Sequence, residues 1–325
     1  MPKKCTVGGQ AVMEGVMMKA PDGIAMAVRK PDGEIVTEYK PFKSKAQKGT
    51  FLGWPVVRGV VAFVESLSIG MGCTTRSAEL SGEAIDEEPT KFELWLSKVF
   101  GKSIEKIVVG VAVVIAVALA LGLFVVLPTL VSTWIFGATS GVAPFYKSLT
   151  EGGVRLLIFI LYLLFCASLK DIKRLFMYHG AEHKTIACYE ADEDITPENA
   201  MKHSRLHPRC GTNYLFLVMT VSILFFAAIG WSENIFIRFL TRIIFLPVVA
   251  GLSYELLRFA AKYDNILTRI IRAPGMALQY ITTSEPTPDM IEVAKAAFDL
   301  AMTPPTAAAA QTPASEPAAE AEKAE

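Results

Sequence analysis

The run IVVGVAVVIAVALALGLFVVLPTLVSTWIF, residues 107–136, contains no charged side chain. About 20 consecutive apolar residues suffice for a helix to cross the hydrocarbon core of a bilayer. A helix that is apolar all round must be buried in lipid or in a large core. This stretch therefore sets the chain among integral membrane proteins. Composition agrees, with 52% hydrophobic residues and a positive mean hydropathy of +0.39.

Three further apolar segments follow, at 154–169 (with a start as early as Val142 left open), 214–231 and 235–257. Arg238, Arg242, Pro247 and Glu255 interrupt or flank the fourth. Basic residues sort by side. Lys98, Lys102 and Lys106 precede the first segment; Lys170, Lys173, Arg174, Lys184, Lys202, Arg205 and Arg209 separate the second from the third. Lys262, Arg269 and Arg272 follow the fourth, whereas the opposite loops hold few, Lys147 among them. With four spans, the positive-inside rule puts both termini in the cytoplasm, in a multi-pass protein of the cell membrane. An odd number of spans would change that. The N-terminus MPKKCTVGGQ is polar, so no cleaved signal peptide is expected and insertion relies on internal segments.

Residues 1–54 read as a small cytoplasmic portion. IAMAVRKPDGEIVTEYK has the form of a hairpin about a Pro-Asp-Gly turn at 31–33, preceded by a Gly- and Met-rich segment. Its methionines read as packing, and Glu14 as a solvated or capping carboxylate. So small a core needs support from elsewhere in the chain. Residues 55–72 are apolar but carry Arg58 and Glu65, which a lipid-exposed span would hold only at a cost of several kcal/mol. An interfacial or re-entrant helix is expected there, then an acidic linker to residue 90. The region 91–302 is the membrane domain, with a His-rich cytoplasmic loop at 170–213. At its end, a helix, a break at Pro274-Gly275, a turn and an amphipathic helix near 288–301 are expected. Glu255 and Arg258 read as an ion pair or, preferably, an interfacial anchor. The tail from 303 to 325, rich in Ala, Pro and Glu, is expected to be disordered. The fold class expected is thus an all-α membrane protein with about four transmembrane helices and a small β-hairpin-containing portion.

The 32 basic and 32 acidic residues cancel, which argues against nucleic acid as a partner. Five scattered cysteines, an odd number, argue against a disulfide framework and for a reducing compartment.

Chemistry concentrates in YHGAEHKTIACYEADEDITPENAMKHSRLHPRCGTN, residues 178–213, which holds all four histidines of the chain. His179 and His183 are spaced to share one helix face with Glu182 beside them. H-x-x-E-H is the inverted form of a zinc-binding spacing: two imidazole ligands and a carboxylate able to take a proton from water. Gly180 inside such a helix costs about 1 kcal/mol relative to alanine. No acidic third ligand stands at an obvious helical position downstream.

Several phrases together, VGGQAVMEGVMMK, PVVRGVVAFVESLSIGM, YHGAEHKTIACYE, ENAMKHSRLHPRCGT and PGMALQYITTSEP…IEVAKAAF, resemble the YqhQ-like family, domain of unknown function 1385. The resemblance spans roughly residues 5–300. It implies a metal-dependent, membrane-embedded enzyme and points to His179, Glu182, His183, His207 and Cys210, with Arg209 and Gly211 as neighbours. His203 lies outside that pattern, although it stands one helical turn from His207. His179, His183 and His207 would make a three-nitrogen set, with Cys210 as a fourth or alternative third ligand. Glu182 would act as general base, and Glu190, Asp192 and Glu193 could add ligands or orient them. A thiolate favours zinc; a nitrogen and carboxylate set would leave iron or manganese open.

The reading is a metal-dependent hydrolase, zinc preferred, working at the cytoplasmic face of the bilayer on an unidentified membrane-proximal substrate. The alternative is a transporter, channel or assembly factor with a structural or regulatory His/Cys loop. Charge is nearly absent from the first three spans, which disfavours transport by one chain and leaves a path within a homo-oligomer open.

Overall fold

The computed structural model describes residues 7–47, 49–82, 104–136, 142–230, 232 and 234–304. Four strands open the chain: β1 (Gly8–Val12), β2 (Gly15–Lys19), β3 (Gly23–Arg29) and β4 (Ile35–Pro41). They form an antiparallel meander in the order β1-β2-β3-β4. The expected hairpin is β3–β4, closed at Lys30–Glu34 with Gly33 at φ 90°. The Gly- and Met-rich segment before it adds a second hairpin, β1–β2, which sequence pattern had not resolved into strands.

Glycine hides that hairpin. It carries low strand propensity, yet here it admits close neighbours. A Cβ on Gly15 would lie 2.2 Å from the Ala27 carbonyl oxygen. The two-residue turn puts Glu14 at φ 49°, and its carboxylate pairs with Arg174 and accepts from the Tyr178 hydroxyl at 3.2 Å. It is thus a tertiary anchor rather than a solvated or capping group.

Both faces of β2 and β3 are covered, and the alternation of side chains sorts them. Val16, Met18, Ala25 and Ala27 join one cluster with Tyr178, Ala181, Met290, Ile291 and Phe298. Met17, Ile24, Met26 and Val28 face Ile69, Cys73 and Leu80. The methionines are packing, as expected, and the support for this small core comes from three distant helices.

One of these is α1 (Val57–Leu80), which runs beyond the expected end at residue 72. Gly59 lets it approach the backbone of Gly251, Phe63 meets Tyr214 at 6.0 Å between centroids, and its last turns cover the sheet. Arg58 donates to Glu255 at 2.6 Å, so Glu255 pairs with α1 rather than with Arg258, which sits over the Tyr254 ring.

The membrane-type helices follow. α2 (Ile104–Leu121) passes through a π-turn at Gly122–Val126 into α3 (Leu127–Phe136). Next come α4 (Pro144–Ser168), α5 (Lys170–Glu190), α6 (Pro197–Ala200), α7 (Gly211–Ile229) and α8 (Ile235–Lys262). Among the described residues, five helices are long and apolar enough to cross a membrane, α1 included, against the four expected. The acidic linker and most of the tail fall outside the described residues.

Two expectations fail here for physical reasons. α4 begins at Pro144, so Glu151 and Arg155 lie inside an apolar helix and the segment is not charge-poor. Fully buried Glu151 accepts from Arg155 at 3.1 Å, from Arg242 at 2.6 Å and from Thr129 at 3.0 Å, with Arg238 at 3.9 Å. Arg155 also donates to the Phe124 carbonyl of the π-turn, where the helical ladder is displaced. Secondly, α9 (Ile266–Thr282) runs unbroken through Pro274-Gly275. Gly275 is there for proximity, since a Cβ would stand 2.4 Å from Asn213 Oδ1. The last helix among the described residues is α10 (Pro288–Met302), laid on the sheet as the amphipathic pattern near 288–301 implies.

Candidate metal centre

The segment read as a His-rich loop at 170–213 begins as the 21-residue helix α5, and its core-facing side is buried from Tyr178 to Ile186. Gly180 sits there because a Cβ would fall 2.1 Å from the Ser284 carbonyl oxygen. The propensity lost in the helix is offset by a close crossing that no larger residue permits.

His179 and His183 lie one turn apart with ring centroids 4.4 Å apart. His179 Nδ1 donates to the Thr282 carbonyl at 2.9 Å, and His183 Nδ1 donates to the Arg205 carbonyl at 2.6 Å. A carbonyl only accepts, so both rings carry hydrogen on Nδ1 and present a lone pair at Nε2. His179 Nε2 meets Cys210 Sγ at 3.2 Å. His183 Nε2 is buried and has no hydrogen-bond partner among the described residues. The donor atoms of His179, His183 and Cys210 lie within 4.8 Å of one another. Ligands held at about 2.0–2.3 Å by one tetrahedral ion stand roughly 3.3–3.8 Å apart, so small side-chain shifts would bring these three donors together on one ion.

Cys210 caps α7, its sulfur accepting from the Thr212 N–H at 3.3 Å. Burial raises its thiol pKa, so a protein without metal holds it neutral. Burial also lowers the His183 pKa well below its usual value, with His179 and His207 adding to the effect.

His207 does not join the three-donor group. Its ring lies 5.7 Å from that of His183, and Nε2 faces Glu190 at 3.4 Å. Burial depresses its pKa to about 4. Glu190 also holds Arg209. His203 stands apart, 3.2 Å from Glu193 and close to Cys188, in a second group of donors also within 4.8 Å of one another.

Glu182 points toward β1. Burial raises its carboxyl pKa to about 8, opposed by His179 and by the Gly9 N–H that donates to it, and reinforced by Cys210. Its Oε2 has no hydrogen-bond partner among the described residues.

Sequence reasoning missed the residues that hold this arrangement. Gln279, fully buried on α9, accepts from the His207 N–H at 2.8 Å and donates to the His207 carbonyl at 2.9 Å. Gly9, Thr282 and the Arg205 carbonyl act through backbone contacts across the chain. The phrases containing Gly9 and Gln279 carry part of the family resemblance, but spacing assigns these two residues no role.

Against this geometry, comparison with known proteins is informative about kinship. The family described as Protein of unknown function (DUF1385) matches residues 54–303. The chain belongs to the DUF1385 family. It is also 31% identical over 298 residues to "Uncharacterized protein YqhQ" of Bacillus subtilis (strain 168), covering 90% of this chain and 91% of that one. No solved structure matches it. The DUF1385 match takes in α1, the histidine helix and Cys210, and leaves β1 and Gly9 outside it.

Proposed function

We propose that this chain is a metal-dependent hydrolase of the cytoplasmic membrane surface, with zinc held by His179, His183 and Cys210. The observation that carries this reading is the pair of imidazoles whose Nδ1–H groups are tied to backbone carbonyls. Their Nε2 atoms are thereby left for a ligand: that of His179 lies against Cys210 Sγ, and that of His183 has no partner among the described residues. Metal-binding histidines are oriented in this way, and a buried nitrogen left unsatisfied otherwise costs about 1–3 kcal/mol.

A zinc ion bound there would lower the pKa of a water molecule in its open position. Glu182 would then take the proton. Its raised pKa suits a group that must hold and release a proton near neutrality. His207 stands near enough to orient a substrate or to complete the ligand set after a ring movement. Replacing Glu182 by Gln separates roles: the hydrolase reading expects metal retained and turnover lost in a hydrolase screen. Unchanged turnover would remove Glu182 from the chemistry.

The topology that fits best has four of the five apolar helices crossing the bilayer and α1 lying along its surface. α1 touches Tyr214 at the start of α7 and Gly251 on α8, then leaves to cover the sheet, which supports this choice. Tags at the two termini should then be shielded together in sealed inside-in vesicles; tags on opposite sides would refute it.

A second reading draws on one observation. The buried cluster of Glu151 with Arg155, Arg238 and Arg242 is the kind of intramembrane charge found along transport paths. It supports a non-enzymatic role in which the His/Cys cluster is structural.

A further inference from the structure

The His179–Glu182–His183–Cys210 cluster forms the floor of a cavity of about 820 Å3, a size typical of small-molecule sites. Most of the remaining lining is apolar, with Gln10, Ser66, Arg209 and Tyr254 also reaching it. Phe63 and Leu67 come from α1, Phe176 from α5, Leu215 from α7 and Leu257 from α8. Leu67 and Leu215, on two helices long and apolar enough to meet a bilayer, are 52% and 47% exposed. The lining thus continues outward onto an apolar surface that also carries Val64 and Met71 of α1. Lys19 enters the same cavity from β2, half-buried, its ammonium 4.7 Å from the Phe42 ring.

We propose that this cavity takes one acyl chain of a membrane amphiphile, with the polar linkage at the head of that chain resting on the His–Glu–Cys floor. The chain lies along Phe63, Leu67, Phe176 and Leu215, an apolar lining that replaces its lipid contacts without exposing it to water. Lys19 supplies positive charge near the floor and favours an anionic head group. Partial burial weakens the hold of that ammonium on its proton, Glu65 partly restores it, and an anionic head group would add to that.

An extended peptide fits less well. It would need the free edge of β1, the outermost strand beside the cavity. There the Gly9 N–H is already given to Glu182, and α5 lies against the strand, so an added strand finds no continuous ladder.

This inference names the substrate class of the proposed hydrolase and rests on that reading for the reaction, but not for the binding. The test uses the full chain in lipid-bilayer discs containing a phospholipid with a photoreactive group at the end of one acyl chain. Irradiation followed by peptide mapping should place labels on Phe63, Leu67, Phe176 or Leu215. Ala62→Trp, which fills the cavity from α1, should abolish those labels while labels on the outward-facing Val114 and Leu119 persist. Melting temperature and metal content of that variant report whether it still folds. Leu215→Trp, at the mouth on a different helix, gives a second obstruction should Ala62→Trp fail to fold.

Labels confined to outward-facing helix surfaces, or unchanged by both variants, would overturn the proposal. So would labelling of the cavity by a photoreactive transmembrane peptide in discs where the lipid gives none. The two readings fail separately. Cavity labels without bound metal would remove the hydrolase and leave the amphiphile site, whereas metal without cavity labels would do the reverse.

Discussion

A Cβ on Gly9 would lie 2.7 Å from the carboxyl carbon of Glu182, so the first strand of the sheet is pressed directly against the proposed general base. Strand and helix are far apart in sequence, and only a residue without a side chain lets the backbone N–H reach the carboxylate. Gly9→Ala should displace one partner at a cost of about 1–3 kcal/mol, typical of overpacking. The expected result is a lower melting temperature with metal content retained, since the atoms nearest the added carbon belong to Glu182 and Met17 and not to the three proposed ligands. A melting temperature equal to that of the unmodified protein would mean the contact is slack.

Gly180→Ala tests the other close crossing. Helix propensity alone favours alanine by about 1 kcal/mol. The Ser284 carbonyl oxygen, 2.1 Å from the added carbon, opposes it and should prevail. Equilibrium unfolding should therefore show net destabilisation, together with weaker metal retention because Thr282, which orients His179, lies on the adjoining turn. A stabilised variant would contradict the packing of α5 on the segment after α9.

Glu151 is fully buried and shared by Arg155 and Arg242. Removing the carboxylate with Glu151→Gln leaves guanidinium groups in an apolar helix bundle, a change of about 3–5 kcal/mol in comparable buried pairs. Arg269→Ala, at an exposed ion pair with Asp264, should stay within about 0.5 kcal/mol. Unfolding in mixed micelles compares the two. Equal losses would show that the Glu151 cluster is solvated rather than buried.

Proton linkage gives a distinct signature in the metal-free protein. Glu182 has its pKa raised from 4.5 to about 8, so its contribution to stability is full below pH 4.5 and is lost as pH rises toward 8. His207 is depressed from 6.5 to about 4, and His183 is also lowered, so their contributions are present above 6.5 and lost as pH falls. Two histidines outweigh one carboxyl below pH 6.5, and the carboxyl acts alone above it. These three groups therefore set a stability maximum near pH 6.5 in metal-free protein, measurable as melting temperature against pH. A profile rising steadily to pH 8 would deny Glu182 its raised pKa.

Much of this arrangement was legible in the sequence, and the rest was hidden for identifiable reasons. Long apolar runs announce their helices because nothing else satisfies the backbone in lipid. The four-residue spacing of His179 and His183 announces a shared helix face, and α5 supplies it, with Glu182 beside them and turned toward β1. The β1–β2 hairpin stayed hidden because Gly8, Gly9 and Gly15 lack the side-chain alternation by which strands are recognised. Arg238 and Arg242 looked like interruptions of α8 because their partner, Glu151, lies on another helix. Resemblance nominates both His207 and Cys210 and sets His207 first, as the third nitrogen ligand, whereas the group that forms has Cys210 in that place. Only tertiary placement shows Cys210 meeting His179 and His207 turned toward Glu190.

The proposed ion rests on His179, His183 and Cys210. The most direct measurement is elemental mass spectrometry on the full chain purified in detergent, beside the double variant His179→Ala/His183→Ala and the single variants Cys210→Ser and His203→Ala. Near-stoichiometric zinc is expected in the unmodified protein and in His203→Ala, loss of it in the double variant, and marked depletion in Cys210→Ser. Absence of any transition metal from the unmodified protein, even after reconstitution with zinc, would contradict it, as would zinc that survives the double variant.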